Sequence, residues 1–251
     1  MIPGWLRTQF AYLRHAQPVR LVAIPLVLGV AMIAPGALHL GGGTGHGARD
    51  EGVVALTFDD GLNGDATLAV AKVLEDHGGT GTFFVVGRTL EMQPEVARAL
   101  VQRGHLLANH SADHETPSAF DPIHSTVAVA ERQFEAAVGR CPAFYRAPHG
   151  TYTAWSWLAI RRAGLRVVNW DVEVRDWDAT DPKDLARRVL AGVEPGSIVL
   201  LHDGRDGQPG RDRTVLVQAL PIILDGLQAR GLRPVRLDAL LGTPGYLERC
   251  P

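Results

Sequence analysis

The sequence predicts an α/β fold: a (β/α)7-8 barrel preceded by one N-terminal hydrophobic helix. Three observations predict it. From Val53 onward, short apolar β-branched runs alternate with stretches at helical spacing, the signature of a parallel sheet covered by helices. Ionisable residues, histidine above all, gather just after the strand-like runs. Ahead of both, Leu21–Leu40 ("LVAIPLVLGVAMIAPGALHL") contains no Asp, Glu, Lys or Arg.

Taken in order, Val53–Phe58 reads as the first strand. Thr67–His77 follows as a helix with Leu68, Ala71 and Leu74 at helical spacing, and Gly78 and Gly79 end it, a common place for glycine. Thr82–Val86 is the second strand. The helix Pro94–Arg103 opens on proline, which is favoured in a first turn. Leu106–Asn109 is the third strand, and after a long loop Thr126 to Val138 is helical. Phe144–Arg146, the helix Trp155–Ala163 and the strand Arg166–Trp170 continue the alternation. Pro182–Gly192 is helix, Ser197–Leu201 strand, Thr214–Arg230 helix and Pro234–Leu237 a last short strand.

About seven such units lie near the small end for a (β/α)8 barrel. An open doubly wound sheet is the alternative, but no dinucleotide fingerprint supports it. "GGTG" at Gly78 and "GGGTGHG" at Gly41 lack the G-x-G-x-x-G spacing and read as a turn and a flexible linker.

The 251 residues are 46% hydrophobic and carry a formal net charge of −2 from 25 basic and 27 acidic residues. That suffices for a large core, and the absence of a basic stripe argues against a nucleic-acid partner. The chain divides into a basic cytoplasmic N-terminus (1–20), a transmembrane anchor or signal segment (21–40), a linker (41–52) and the main domain (53–251). Roughly 20 apolar residues can span a bilayer core. Arg7, Arg14 and Arg20 precede the segment and the next basic residue is Arg49, so the charge rule places the domain outside the cytoplasm. A retained anchor is preferred to a cleaved signal, because no small-x-small site closes the apolar run. Two cysteines, Cys141 and Cys250, suit an exported protein.

The loops after the strands of a parallel barrel form its catalytic face. Asp59 and Asp60 follow the first strand, "NHSADH" with His110 and His114 the third, and Arg146 of "RAPHG" ends the fourth. The fifth runs into "WDVEVRDW", with Asp171, Glu173, Asp176 and Trp177, and the sixth delivers His202 and Asp203. Singly, each has an ordinary reading as a turn or surface residue. Five strands converging on one rim do not. H-x-x-x-H brings two imidazoles together if the segment makes a helical turn, and two histidines with one carboxylate form a catalytic zinc set. Adjacent Asp59 and Asp60 on an extended segment would point opposite ways, which permits separate roles.

"TFDDG", "HSADH", "RAPHG", "EVRDW" and "LLH", in that order and with "TFFVVG" after the first helix, resemble the five motifs of the polysaccharide deacetylases, the NodB-homology domains of carbohydrate esterase family 4. The resemblance covers about Val53 to Leu241 and implies the distorted (β/α)7-8 barrel of that family. It implies Asp59 as general base, oriented by Arg146. Asp60, His110 and His114 would bind a divalent metal, zinc or alternatively cobalt(II). His202 would be the general acid, tuned by Asp176. Trp177 and Leu200 would line the acetyl pocket, and the backbone N–H of His149 would face the oxyanion. Three positions depart from the family pattern: Leu62 and Asn63 replace the usual proline after Gly61, His149 stands where tyrosine is common, and Glu173 where aspartate is.

The activity implied is removal of N-acetyl groups from an N-acetylglucosamine polysaccharide such as peptidoglycan or chitin-like oligomers. Alternatives are a lipid-linked acetylamino or formylamino sugar, O-acetylated xylan, or a member that binds glycan without hydrolysis. The implied topology brings the C-terminal run back to the barrel's bottom near Cys141, so a Cys141–Cys250 disulfide is expected. Oligomeric state is left open.

Overall fold

Val53–Gly61 forms β1, a strand buried along its whole length except for its first residue. The computed structural model describes residues 43–116 and 125–251. After β1 come α1 (Asp65–Asp76), β2 (Thr82–Val85), α2 (Gly87–Met92), α3 (Pro94–Gln102), β3 (Leu106–Asn109) and α4 (Thr126–Val138). The chain continues through β4 (Phe144–Tyr145), α5 (Ala154–Arg162), β5 (Arg166–Val167), β6 (Val172–Glu173), α6 (Pro182–Gly192), β7 (Ile198–His202), α7 (Thr214–Ala229), β8 (Arg233–Pro234) and α8 (Leu237–Leu241). Helix α2 and strand β6 are additions to the sequence reading. Both are shorter than the window over which periodicity is legible.

All strand pairs are parallel, in the order β5-β4-β3-β2-β1-β7-β6, with β8 on the lower part of β1. The two edges of this path, β5 and β6, are consecutive in the chain and separated only by Val168–Asp171. A connection that short reaches roughly 17 Å, so the sheet curls into a half-barrel.

The alternation of strand side chains divides the core in two. Leu56 and Phe58 of β1, Phe83 and Val85 of β2, and Val199 and Leu201 of β7 pack outward against helix residues such as Leu74, Leu100, Val189 and Leu220. Ala55, Phe84, Leu106, Ala108 and Ile198 belong to a separate inner cluster. The inner parity continues upward to Asp59 on β1, His110 just past β3, and Leu200 and His202 on β7. Helix packing outside and period-two alternation inside therefore deliver the polar residues to one rim.

Residues Gly43–Gly47 are not the free linker the sequence suggested. Thr44 bridges Val168 in parallel and His46 bridges Ser197 antiparallel. Its backbone donates from Thr44 to Val167 (3.0 Å) and from Gly47 to Gly196 (2.8 Å), and Thr44 accepts from Asn169 (2.9 Å). The segment thus fills part of the gap between β5 and β7. Glycine is needed there, because a Cβ on Gly43 would lie 2.9 Å from Val167 Cγ1.

At the opposite end from the rim, Cys141 and Cys250 are bonded, with Cα atoms 5.3 Å apart. The C-terminal run reaches that point as expected: Pro142 bridges Tyr246, and Leu247 donates to the Cys141 carbonyl at 2.9 Å. The predicted membrane segment Leu21–Leu40 lies outside the described residues. Among the described residues no helix is long and apolar enough to cross a membrane.

Candidate active site

The opening of the half-barrel holds a cleft of about 450 Å³ lined by Asp59, Asp60, His110, His114, His149, Trp177, Leu200 and His202, together with Trp170, Glu173, Asp206 and two arginines. Asp59 arrives there by parity, and Asp60 by a defect. The register of β1 against β2 shifts between Asp59 and Gly61, and Asp60 takes a left-handed φ of 72°. This bulge corrects the simple alternation expected from sequence: neighbouring carboxylates both reach the cleft, rather than one turning into the core. Re-aiming a side chain is what a bulge does.

Asp59 is 3% exposed, so its charge needs a partner inside the protein. Arg146, fully buried, supplies it: Nη1 donates to Asp59 Oδ1 at 2.6 Å and to Thr57 Oγ1 at 2.8 Å. Nη2 and Nε donate to the carbonyls of Asn169 (3.0 Å) and Val168 (3.3 Å), and the guanidinium lies 4.0 Å from the centroid of the Phe84 ring. Asp59 Oδ2 is left facing His110 Nε2 at 3.8 Å.

Asp60 Oδ1 lies 3.3 Å from His110 Nε2 and 2.9 Å from His114 Nε2. One ligand atom from each of the three residues falls within 4.8 Å of the other two. The histidines do not meet through a helical turn. Ser111 and His114 both adopt left-handed φ (65° and 62°), and His114 N–H donates to Ser111 Oγ at 3.0 Å, so a tight non-helical loop brings the rings together. The Arg146 carbonyl holds His110 Nδ1 at 2.8 Å and so presents Nε2 to Asp60. Burial alone would raise the Asp60 pKa, but hydrogen bonds from His110 and His114 hold it well below the carboxylate range. Burial alone would lower His110, but Asp59 and Asp60 raise it. The carboxylates that raise His110 equally favour a cation beside it. One carboxylate with two imidazoles fits a divalent metal such as zinc.

His202 pairs with Asp59 in the β1–β7 register. Its Nδ1 lies 2.8 Å from Asp176 Oδ1, and its backbone N–H donates to Asp176 Oδ2 at 2.9 Å. Burial pushes the imidazole down, but Asp176, with smaller contributions from Asp59 and Asp60, lifts the pKa to about 9. Trp177 sits edge-on to His202 with ring centroids 5.0 Å apart, beside Leu200. His149, left-handed at φ 54°, stacks edge-on against His114, and burial next to His114 lowers its pKa. Every residue singled out for the site therefore reaches the one cleft except Arg146 and Asp176, which stand behind Asp59 and His202.

Among the wider rim residues Asp171 and Asp203 do not reach the cleft. Asp171 stays below it. It accepts from Ile198 N–H (2.8 Å) and pairs with Arg49 (2.7 Å) at the lower end of β7, because β6 restarts after it and raises only Glu173 to the rim. Asp203 is buried beneath the site, bonded to Thr67, and burial raises its carboxyl to about 7. Sequence reasoning missed Trp170, whose Nε1 donates to Glu173 at 3.1 Å, and Asp206, whose N–H donates to Asp60. The only signal for Asp206 was its place in the polar Gly-rich loop after a barrel strand.

Comparison with known proteins agrees with this geometry. The polysaccharide deacetylase family profile matches residues 46–168, which stops short of Asp176 and His202. The chain is 39% identical to the chitooligosaccharide deacetylase of Bradyrhizobium sp. (strain ANU 289) over 71% of its length and 85% of that protein. It is 30% identical to a peptidoglycan-N-acetylglucosamine deacetylase of Bacillus cereus, over 77% and 90% respectively. The crystal structure of the Bc1960 peptidoglycan N-acetylglucosamine deacetylase superposes with a TM-score of 0.75 at 26% identity, covering 81% of this chain and 94% of that one. With five motifs converging on one cleft of the same half-barrel, the chain belongs to the polysaccharide deacetylases of carbohydrate esterase family 4.

Proposed function

We propose that the protein hydrolyses N-acetyl groups from N-acetylglucosamine-containing polysaccharide, peptidoglycan or chitin-like oligomers, releasing acetate and a free amine. One observation carries the reading. Asp59, held by Arg146 at 2.6 Å, and His202, held by Asp176 at 2.8 Å, occupy paired positions on adjacent strands beside the Asp60–His110–His114 set. An ionised carboxylate and a protonated imidazole facing one cleft are the base and acid that amide hydrolysis needs.

Asp60, His110 and His114 would hold zinc, whose Lewis acidity polarises the amide carbonyl and eases deprotonation of water. Asp59 accepts the proton of the attacking water at Oδ2, since Oδ1 is engaged by Arg146. The N–H of His149 donates to the oxyanion that develops, a contact of a kind whose loss costs about 10²–10³ in rate. His202 then passes a proton from Nε2 to the nitrogen, without which the amine does not leave. Trp177 and Leu200 wall the space for the acetyl methyl. Leu21–Leu40, with arginines before it, supports export with a retained membrane anchor.

The test is acetate release by the full chain in detergent with zinc, on chitin oligomers and peptidoglycan in parallel. Release abolished in Asp59→Asn supports the assignment, and the better substrate names the polymer. Zinc binding without release from either would turn the reading to lipid-linked or O-acetylated substrates. Neither zinc nor release would leave a glycan-binding protein.

A further inference from the structure

Asp206 touches two of the three residues of the candidate metal set, from a loop outside the family motifs. Its backbone N–H donates to Asp60 Oδ2 at 3.0 Å, while both imidazoles approach the other oxygen, Oδ1. Its carboxylate Oδ1 stands 3.5 Å from His114 Nδ1. One residue thus caps the carboxylate oxygen turned away from the imidazoles and favours the His114 tautomer that leaves Nε2 as ligand. Asp206 itself is left-handed at φ 51°, a strained conformation that persists where the surroundings impose it.

Arg88 imposes it. Its guanidinium donates to the Asp206 carbonyl through Nη2 and to the Gly207 carbonyl through Nε (3.2 Å). The backbone of the same turn holds the histidine loop: Arg88 N–H donates to Ala112 O at 2.9 Å, and Gly87 N–H to Ser111 O at 2.8 Å. The approach is close, since a Cβ on Gly207 would lie 2.8 Å from Val86. Three loops, after β2, β3 and β7, meet at Arg88.

We propose that Asp206 and Arg88 are positioning residues that preset Asp60 and His114 for the metal, with Arg88 as the strut and Asp206 as the contact. The inference rests on the reading of Asp60, His110 and His114 as the metal set. A carboxylate behind a ligating histidine is a recurrent device that fixes its ring and raises its basicity, and its loss typically costs about 10–100-fold in metal affinity. A loop anchor with no role toward the metal would leave that affinity unchanged.

The test is zinc affinity of the full chain in detergent, measured by competition with a chromophoric chelator, with the cobalt(II) absorption spectrum recorded alongside. Asp206→Asn keeps the backbone N–H and tolerates the left-handed conformation, so it isolates the carboxylate. We expect its zinc Kd to rise about 10-fold and that of Arg88→Ala by up to about 100-fold. Arg88→Lys should recover part of the loss, and the cobalt spectrum should change in Asp206→Asn. Unchanged zinc Kd in both Asp206→Asn and Asp206→Ala overturns the proposal, and decides the matter even if Arg88→Ala does not fold. Zinc binding by the wild type that Asp60→Asn abolishes establishes the metal set separately; no binding by the wild type overturns both readings.

Discussion

Asp176 grips His202 at two points: one carboxylate oxygen meets the ring Nδ1 at 2.8 Å, and the other accepts the backbone N–H of the same residue at 2.9 Å. The double contact fixes both the imidazole's orientation and its charge. Because the folded pKa of His202, about 9, lies above the ordinary 6.5, the pair stabilises the fold fully below pH 6.5 and loses that contribution as pH climbs through 9. Activity that needs a protonated His202 should fall on the same alkaline limb. Asp176→Asn should move the limb down toward or below pH 6.5 and reduce kcat at pH 8 by about 10². A pH–kcat profile checks this; an unmoved limb would assign the titration to another group.

Arg146 and Asp59 form a buried ion pair in which the guanidinium also bonds Thr57 and the Asn169 carbonyl. Breaking such a pair from one end leaves a buried charge without compensation, at about 3–5 kcal/mol. Arg146→Met should therefore lower unfolding stability by that order as well as abolish activity. Combining it with Asp59→Asn should recover much of the stability and none of the activity. Urea unfolding of the two single variants and the double variant measures the coupling.

Glu131 on α4 is 1% exposed and accepts from Asn109 Nδ2 at 2.6 Å, with its Oε2 unpartnered. Burial raises its carboxyl to about 7, so the fold prefers the protonated form. The sign is then opposite to that of an ordinary salt bridge: stability declines as pH rises from 4.5 through 7, by on the order of 3 kcal/mol. Glu131→Gln should flatten that slope and exceed the wild type in stability at pH 8. Equal slopes in thermal unfolding at pH 5 and pH 8 would show the carboxyl to be ionised at no cost.

A chain beginning at residue 48 would lose the Thr44 and Gly47 bonds that fill the gap beside β5 and keep the Arg49–Asp171 pair. Three backbone hydrogen bonds at roughly 0.5–1.5 kcal/mol each predict a loss of about 2–4 kcal/mol relative to a chain beginning at residue 42. Chemical denaturation of the two truncated proteins compares them directly. Matching midpoints would return Gly43–Gly47 to the role of linker.

The sequence by itself determined which strands carry the chemistry and on which side of them it falls. Asp59, His110 and His202 lie at strand ends on the inner parity of Ala55, Ala108 and Ile198, and that alternation is written in windows of a few residues. The Cys141–Cys250 pairing is an expectation from the topology that the family resemblance implies, and the two cysteines lie bonded at the end opposite the rim. Tertiary structure alone decided how those residues meet. The bulge at Asp60 depends on a register shift against β2, the His110–His114 approach on left-handed residues rather than on their spacing, and the exclusion of Asp171 on where β6 begins. Asp206 reaches Asp60 across a separation of 146 residues, and Gly43–Gly47 completes a sheet whose other strands lie beyond it in the chain. Such contacts follow from how the sheet curls, and no local pattern records the curl.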